Sequence, residues 1–203
     1  MLVNKEDLSD ITKKIKNYRK ENWFISRMYR YEMKIIFAGT PKFASEHLSI
    51  LLGGEHEIVA VLTQPDRKSG RGQKISFSEV KEIALENDLE VLQPTSLKDV
   101  EIQKSINNLE PDIILVVAYG LLIPKTVLDI PKLGCINIHA SLLPRWRGAS
   151  PIESCIAAGD SESGITMMKM SEGLDEGHKL KKFICHLDEK ETLETLEKKF
   201  IGM

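Results

Sequence analysis

The segment DIILVVA (112–118) constrains the fold most strongly, because every residue after Asp112 is apolar. A strand that is apolar on both faces is typical of the centre of a parallel sheet covered by helices. Shorter apolar runs that read as strands occur on both sides of this segment in the sequence: KIIFA (34–38), EIVAVL (57–62), EVL (90–92) and GCINI (134–138).

Helical patterns separate these strands. Apolar residues recur at helical spacing after residue 42, in 78–87 and in 97–109, and Pro124 suits the first turn of another helix. The alternation predicts an α/β, Rossmann-like fold, a mostly parallel sheet with helices on both faces and right-handed crossovers. After Pro151 the pattern predicts these elements: a helix (152–158), a strand (164–170), a turn (171–177), a strand near 180–186 and a helix (189–200).

Composition limits the compartment and the partners. The chain has 203 residues, is 42% hydrophobic and carries a net charge of -2, so it can bury a core but has no global attraction for nucleic acid. Its three cysteines are widely spaced, which argues against a disulfide framework or a zinc site. The N-terminus lacks the pattern of a secretory signal. We therefore expect a cytoplasmic protein without a membrane partner.

Residues 1–32 are crowded with charge and read as a separate N-terminal extension. Their aromatic residues beside Lys and Arg allow a nucleic-acid patch, but a helical or poorly ordered extension is the simpler interpretation. Because Met33 directly precedes the first strand, we expect the native product to begin at Met33, with Met1 as the alternative start. Residues 33–203 are expected to form the catalytic domain.

Nucleotide-binding motifs are weak in this chain. The turn AGTPKFA after the first strand has one glycine and a proline where a dinucleotide loop needs three glycines, and there is no GxxxxGK[ST] motif. Gly39 and Thr40 nevertheless follow a strand, where open α/β sheets bind ligands. They either line a pocket or form a plain tight turn.

Asn137 and His139 are two residues apart on a predicted strand, so their side chains project to the same side at its carboxyl end. Alone, His139 would read as a structural histidine and Asp175 as a turn residue; together with Asn137 they form a candidate site. Ser141 lacks the G-x-S-x-G context of a nucleophile and reads as a loop serine. No closely spaced set of His, Cys or carboxylates predicts a metal site.

Two segments are locally basic. Residues 64–74 concentrate four cations and two glycines in a loop that either contacts phosphates or is only solvated. Arg145 and Arg147 flank Trp146 and form a second basic spot.

Five segments together resemble the methionyl-tRNA formyltransferases, in that family's order and spacing. They are FAGTPKFA (37–44), TQPDRKSGRGQK (63–74), VVAYGLLIP (116–124), NIHASLLPRWRGASPI (137–152) and EGLDEG (172–177). The resemblance implies an enzyme of translation initiation. It would transfer a formyl group from 10-formyltetrahydrofolate to the amino group of methionine on initiator tRNA, as a monomer and without a metal.

The resemblance also implies residue roles. The positions that match the family's catalytic residues are Asn137, His139 and Asp175. The expected folate-binding residues are Ser141, Leu142, Leu143, Pro144, Ala118, Tyr119, Gly120 and Leu122. The expected tRNA-binding residues are Arg67, Lys68, Arg71, Lys74, Arg145 and Arg147.

The chain departs from the family's pattern in two ways. Family members carry a C-terminal β-barrel domain that contacts tRNA, and we expect this chain to be truncated before it. The family's usual LDTGD is here LDEGH, which keeps Asp175 but introduces Glu176 and His178. Three alternatives therefore remain: a folate-binding domain without tRNA formylation, a small-amine formyltransferase, or a formyltetrahydrofolate hydrolase.

Overall fold

The structure is a computed structural model that describes residues 32–69 and 74–203. The predicted extension, apart from Glu32, and Arg71 lie outside this part of the chain. The described strands are β1 (Lys34–Gly39), β2 (Glu57–Leu62), β3 (Arg67–Ser69), β4 (Lys74–Ser76), β5 (Val91–Leu92), β6 (Ile113–Val117), β7 (Cys135–His139), β8 (Glu162–Lys169) and β9 (His178–His186). The described helices are α1 (Lys42–Leu52), α2 (Glu79–Glu86), α3 (Val100–Asn108), α4 (Lys125–Leu128), α5 (Pro151–Ala157) and α6 (Leu193–Ile201).

Seven strands form one sheet in the order β5-β2-β1-β6-β7-β8-β9. The first five strands of this order pair in parallel, and β8 and β9 add antiparallel strands at one edge. The predicted Rossmann-like, mostly parallel α/β fold is therefore confirmed. The apolar segment 112–118 forms β6, which lies at the centre between β1 and β7.

The sheet buries a hydrophobic layer on each face, because successive side chains of a strand point to opposite sides. Phe37 of β1 packs with Leu48 of α1 and Phe200 of α6 on one face. Its neighbour Ile36 packs with Ile106 of α3 on the other face. All five side chains are almost completely inaccessible to solvent, so both faces of the central strands are covered as their composition predicts.

Local capping explains where helices begin and end. Ser78 accepts a hydrogen bond from Lys81 N at α2, and Asp99 accepts one from Glu101 N at α3. Thr192 and Thr195 form a reciprocal capping box at α6, and Gly53 follows the last residue of α1. The observed helices lie within a few residues of their predicted bounds.

The polar segment after β2, predicted as a loop, contains regular structure. Its ends pair as a short antiparallel hairpin, β3–β4. The start of this hairpin is anchored by Asp66, which accepts hydrogen bonds from Lys81 Nζ at 2.6 Å and from Gln93 Nε2 at 2.8 Å. The pKa of Asp66 lies below its ordinary value because of these two bonds. Polar contacts from α2 and from the segment after β5 therefore hold the hairpin against the sheet.

Candidate active site

The candidate site lies at the carboxyl end of β7. Asn137 pairs with Met168 and His139 with Thr166 across the antiparallel β7–β8 ladder. Asn137 and His139 therefore stand one strand repeat apart and project to the same side. His139 is the last residue of β7, where the chain leaves the sheet. Open α/β sheets place ligands at this edge.

Asp175 brings the predicted residues together. Its Oδ2 lies 3.1 Å from His139 Nε2, and its Oδ1 accepts a hydrogen bond from Asn137 Nδ2 at 3.3 Å. His139 and Asp175 are both buried, with exposed fractions of 6% and 8%. One carboxylate thus contacts both side chains in a site where water is largely excluded, which strengthens their electrostatic interaction.

A strained turn presents this carboxylate. Asp175 lies between β8 and β9 with φ at 50°, in the left-handed region that aspartate tolerates better than most residues. Burial by itself would raise the pKa of Asp175, but the hydrogen bonds from His139 and from Gly148 N outweigh it and lower that pKa. Asp175 is therefore held ionised beside His139.

Gly148 contributes only backbone atoms to the site. Its N–H donates to Asp175 Oδ2 at 2.7 Å, and its carbonyl oxygen lies 3.3 Å from His139 Nε2. Its φ is 85°, a conformation that glycine adopts without steric cost. The sequence did not predict a role for this residue; its only signal was a lone glycine at the end of the PRWRG segment.

Ser141 lies beneath the site. Its Oγ lies 3.0 Å from His139 Nδ1 and donates a hydrogen bond to the carbonyl oxygen of Arg145 at 2.6 Å. Thr166 of β8, also not predicted from the sequence, donates to the carbonyl oxygen of Ser141 at 2.7 Å and accepts from Leu143 N. Ser141, Thr166 and Leu143 are all 0% exposed. Their side chains are therefore internal supports of the turn after β7.

The loop after β6 forms the neighbouring wall of this edge, because β6 and β7 are adjacent parallel strands. Ala118 and Gly120 have φ values of 45° and 82°, so the chain turns sharply as it leaves the sheet. The carbonyl oxygen of Tyr119 accepts hydrogen bonds from Thr40 Oγ1 at 2.9 Å and Gln64 Nε2 at 3.1 Å. These bonds tie the loop to the turn after β1 and to the segment before β3.

The residues of this loop differ in what they offer a ligand. Tyr119 is only 2% exposed, whereas Leu122 is 71% exposed. A Cβ at position 120 would come within 2.2 Å of Gln64 Nε2, so a side chain there would displace Gln64. Within residues 118–122, Ala118, Gly120 and Leu122 are exposed, so the loop offers a partly apolar surface to a ligand.

A cleft of about 470 Å³ lies beside this site. It is lined by Leu142, Leu143, Pro144, Arg145, Trp146, Asp160, Ser161, Glu162, Ser163, Lys182 and Ile184. The expected folate residues thus divide into two places: Leu142, Leu143 and Pro144 line the cleft, whereas residues 118–122 lie at the end of β6. The catalytic candidates are not among the residues that line the cleft.

Some of the expected tRNA-binding residues already have partners within the protein. The guanidinium of Arg145 donates two hydrogen bonds to Asp160, at 2.8 and 2.6 Å, and stacks 4.3 Å above the Trp146 ring. Arg147 pairs with Glu176 at 3.1 Å, and the Arg67 guanidinium donates to Gln64 Oε1. Lys68 and Lys74 lie on β3 and β4, so the hairpin brings these two positions of the basic segment onto adjacent strands.

The thiol of Cys135 lies in the hydrophobic core. Burial raises the pKa of Cys135 to about 12, so this thiol stays neutral in the core. Within residues 32–69 and 74–203 there is no group of three His, Cys, Asp or Glu side chains that could hold a metal ion. No helix in the same part of the chain is long and apolar enough to cross a membrane.

Comparison with known proteins agrees with this geometry. The profile described as formyl transferase matches residues 33–202. The chain belongs to the formyl transferase family. It is 56% identical over 160 residues to a methionyl-tRNA formyltransferase from Pseudomonas fluorescens strain Pf0-1, covering 79% of this chain and 50% of that protein. It is also 56% identical over 164 residues to the methionyl-tRNA formyltransferase of Pseudomonas syringae pv. syringae strain B728a, covering 81% of this chain and 52% of that protein. The chain thus spans about half the length of these relatives.

Solved structures of other formyl transferases share the fold. A phosphoribosylglycinamide formyltransferase from Bacillus halodurans superposes with a TM-score of 0.66 at 25% sequence identity, covering 83% of this chain and 87% of that one. A formyltetrahydrofolate deformylase from Pseudomonas syringae pv. tomato superposes with a TM-score of 0.67 at 17% identity, covering 92% of this chain and 67% of that one. The second likeness shows the fold alone.

Proposed function

We propose that this chain carries the formyl-transfer chemistry of a methionyl-tRNA formyltransferase. In this proposal a formyl group passes from 10-formyltetrahydrofolate to the amino group of methionine on initiator tRNA, in the cytoplasm. The observation that carries it is the convergence of Asn137, His139 and Asp175 at one point of the sheet edge. The identity of 56% to proteins of that name supports the choice of acceptor.

The three side chains suit formyl transfer because attack of an amine on a formyl carbon creates an oxyanion and releases a proton. Asn137 Nδ2 has a second hydrogen beyond the one directed at Asp175, and it can donate that hydrogen to the oxyanion. His139 Nε2 lies on the same side of β7 and supplies a second donor when it is protonated. Both donors are attached to one strand, so their geometry is set before the substrate arrives.

Asp175 is placed to accept the proton that the amine loses. Its carboxylate is ionised and lies against His139 Nε2, so a proton taken up at Oδ2 can pass to that nitrogen. The folate nitrogen needs one proton as the C–N bond to the formyl group breaks. The proton lost by the amine therefore balances the proton gained by the leaving nitrogen, and no covalent enzyme intermediate is required.

The donor is proposed to bind where the loop after β6 borders the site. The exposed residues Ala118, Gly120 and Leu122 offer a partly apolar surface to a folate ring. Leu142 and Pro144, in the turn after β7, line the neighbouring cleft. The acceptor is proposed to contact Arg147 and the β3–β4 hairpin. The start of this hairpin is held by the contact between Asp66 and Lys81.

A transfer assay with three acceptors tests the proposal. The 203-residue chain is mixed with 10-formyltetrahydrofolate and either methionyl initiator tRNA, methionine methyl ester or water alone, and release of tetrahydrofolate is followed. Formylation of the tRNA alone supports the proposal. Reaction with the small ester at a comparable rate favours a small-amine formyltransferase, and release of folate without an acceptor favours a hydrolase.

Calorimetry with 10-formyltetrahydrofolate separates a catalyst from a binding domain. Binding of the donor without transfer to any acceptor would contradict the proposal and leave a folate-binding domain.

A further inference from the structure

We infer that Ser141 is a positioning residue, which fixes the proton on Nδ1 of the His139 imidazole and so leaves Nε2 as the exchanging nitrogen. The kinetic consequence of this inference rests on the proposed formyl transfer, whereas the proton position does not. The family resemblance implies that Ser141 contributes to folate binding. Because Ser141 is 0% exposed, however, its contacts lie within the protein.

The position of the Ser141 proton follows from one short contact. Ser141 Oγ and the carbonyl oxygen of Arg145 are 2.6 Å apart. A carbonyl has no hydrogen, and two oxygens at this distance without a hydrogen between them would repel. The single hydroxyl hydrogen of Ser141 is therefore committed to Arg145.

The state of His139 Nδ1 follows in turn. It lies 3.0 Å from Ser141 Oγ, whose hydrogen is already used, so the oxygen can only accept. Nδ1 must then carry a hydrogen and donate it. Nε2 faces two acceptors, Asp175 Oδ2 at 3.1 Å and the carbonyl oxygen of Gly148 at 3.3 Å, so it donates to Asp175 while that carboxylate is ionised. Nε2 is therefore the nitrogen that exchanges a proton with Asp175, while Nδ1 keeps its hydrogen. This is the arrangement that a proton transfer through Asp175 requires.

The surroundings of Ser141 allow little else. Thr166 Oγ1 donates to the Ser141 carbonyl oxygen at 2.7 Å, and Ser141 N donates to the His139 carbonyl oxygen at 2.9 Å. The carbonyl oxygen of Arg145 accepts the hydrogen bond from the Ser141 hydroxyl, and the guanidinium of the same residue donates two hydrogen bonds to Asp160. Because Ser141 is fully buried, water cannot substitute for either partner of the hydroxyl.

Nuclear magnetic resonance of the 203-residue chain labelled with ¹⁵N-histidine tests the proton position directly. Two-bond ¹H–¹⁵N correlations show separately whether Nδ1 and Nε2 of each imidazole carry a hydrogen. The His139 signals are assigned as those missing from His139→Gln. We expect Nδ1 of His139 to be protonated in the wild type, and an unprotonated Nδ1 would overturn the inference without any further variant.

Variants of Ser141 then test its cause. Ser141→Ala removes the acceptor, so we expect Nδ1 of His139 to lose its hydrogen while Nε2 keeps the one that faces Asp175. Ser141→Thr should restore the wild-type spectrum. Ser163→Ala is the matched control. Ser163 lies on β8 and is buried like Ser141, but it is not a partner of His139. Identical ¹⁵N chemical shifts of His139 in the wild type and in folded Ser141→Ala would refute the positioning role of Ser141. If Ser141→Ala does not fold, Ser141→Cys is measured in its place.

Kinetics separate positioning from donor binding. If Ser141 positions His139, Ser141→Ala lowers kcat by about 10- to 100-fold, as a misplaced catalytic group does, and the Kd for 10-formyltetrahydrofolate is unchanged. A raised Kd with unchanged kcat would instead make Ser141 a donor-binding residue. If the wild-type chain transfers no formyl group, the proposed function fails while the magnetic resonance experiment still decides the inference.

Discussion

Oδ2 of Asp175 accepts a hydrogen bond from the backbone of Gly148 at 2.7 Å and lies 3.1 Å from Nε2 of His139. These residues come from the turn between β8 and β9, the segment before α5 and the end of β7. The carboxylate thus joins three separate parts of the chain. Its orientation toward His139 depends on a backbone donor as well as on the histidine itself.

Removal of either side-chain donor on β7 is predicted to stop catalysis without unfolding the protein. Asn137→Ala or His139→Ala should lower kcat by about two to three orders of magnitude, as loss of an oxyanion donor does elsewhere. Turnover is measured with saturating donor, and circular dichroism checks the fold. His56→Ala, an exposed histidine just before β2, is the control and should keep full activity. A near-normal rate in either variant would contradict the assigned roles.

The lowered pKa of Asp175 predicts an acid-dependent loss of stability. Because its folded pKa lies below the ordinary value of 3.8, ionised Asp175 stabilises the fold above pH 3.8. This contribution is lost as pH falls through the folded pKa. The difference in free energy of unfolding between the wild type and Asp175→Asn should therefore shrink on acidification below pH 3.8. Urea denaturation across this range measures it, and a constant difference would exclude such a contribution.

The buried hydroxyl of Tyr119 predicts an unusual substitution. Among the buried side-chain groups of the described residues, Tyr119 OH has no hydrogen-bond partner. Burial of an unpaired polar group costs free energy, so Tyr119→Phe should leave the free energy of unfolding unchanged or raise it by about 1 kcal/mol. Tyr119→Ala should lower it by about 3–5 kcal/mol, because it opens a cavity. Chemical denaturation compares the three proteins, and a large loss in Tyr119→Phe would reveal a hidden partner.

Acceptor binding is predicted to depend on the basic hairpin. Arg67→Ala combined with Arg71→Ala should weaken binding of methionyl tRNA and reduce its salt slope by about 1 for each phosphate that the variant no longer binds. Donor binding should not change. Lys98→Ala with Lys104→Ala removes the same charge from two exposed positions at or next to α3 and serves as the control. Equal salt slopes in both double variants would leave the hairpin with no specific role.

Arg145 is predicted to act on stability more than on tRNA binding. Its guanidinium is engaged with Asp160, which also accepts a hydrogen bond from Trp146 Nε1 at 2.7 Å. Asp160→Ala should therefore lower the midpoint of thermal unfolding, and Arg145→Ala should add little to it, since the two changes remove the same pair. A double-mutant cycle measures this. A large drop in tRNA affinity in folded Arg145→Ala would return Arg145 to the acceptor surface.

The fold and the shared orientation of Asn137 and His139 could be predicted because their signals in the sequence are local. The apolar segment 112–118 became the central strand β6, and the spacing of Asn137 and His139 placed both side chains on one side of β7. Asp175 by itself reads as a turn residue, and only the family resemblance implied a catalytic role for it. It lies far along the chain from His139, and no periodicity records a contact across that distance.

Pairing within loops could not be predicted. The predictions that Ser141 binds folate and Arg145 binds tRNA did not include their internal partners. The hydroxyl of Ser141 bonds to the carbonyl oxygen of Arg145, whose guanidinium bonds to Asp160. Which partner a polar side chain finds depends on how the turn after β7 settles on β8. The residue types alone were compatible with either arrangement.

The sequence by itself determined the alternation of strands and helices, the buried centre of the sheet and the pair Asn137 and His139, because hydrophobic periodicity acts over neighbouring residues. Only the tertiary structure decided that Asp175 and the backbone of Gly148 meet His139, and that Ser141 supports it from below. Those contacts depend on strand order, register and the left-handed turns at Gly148 and Asp175, which bring distant parts of the chain within hydrogen-bond distance.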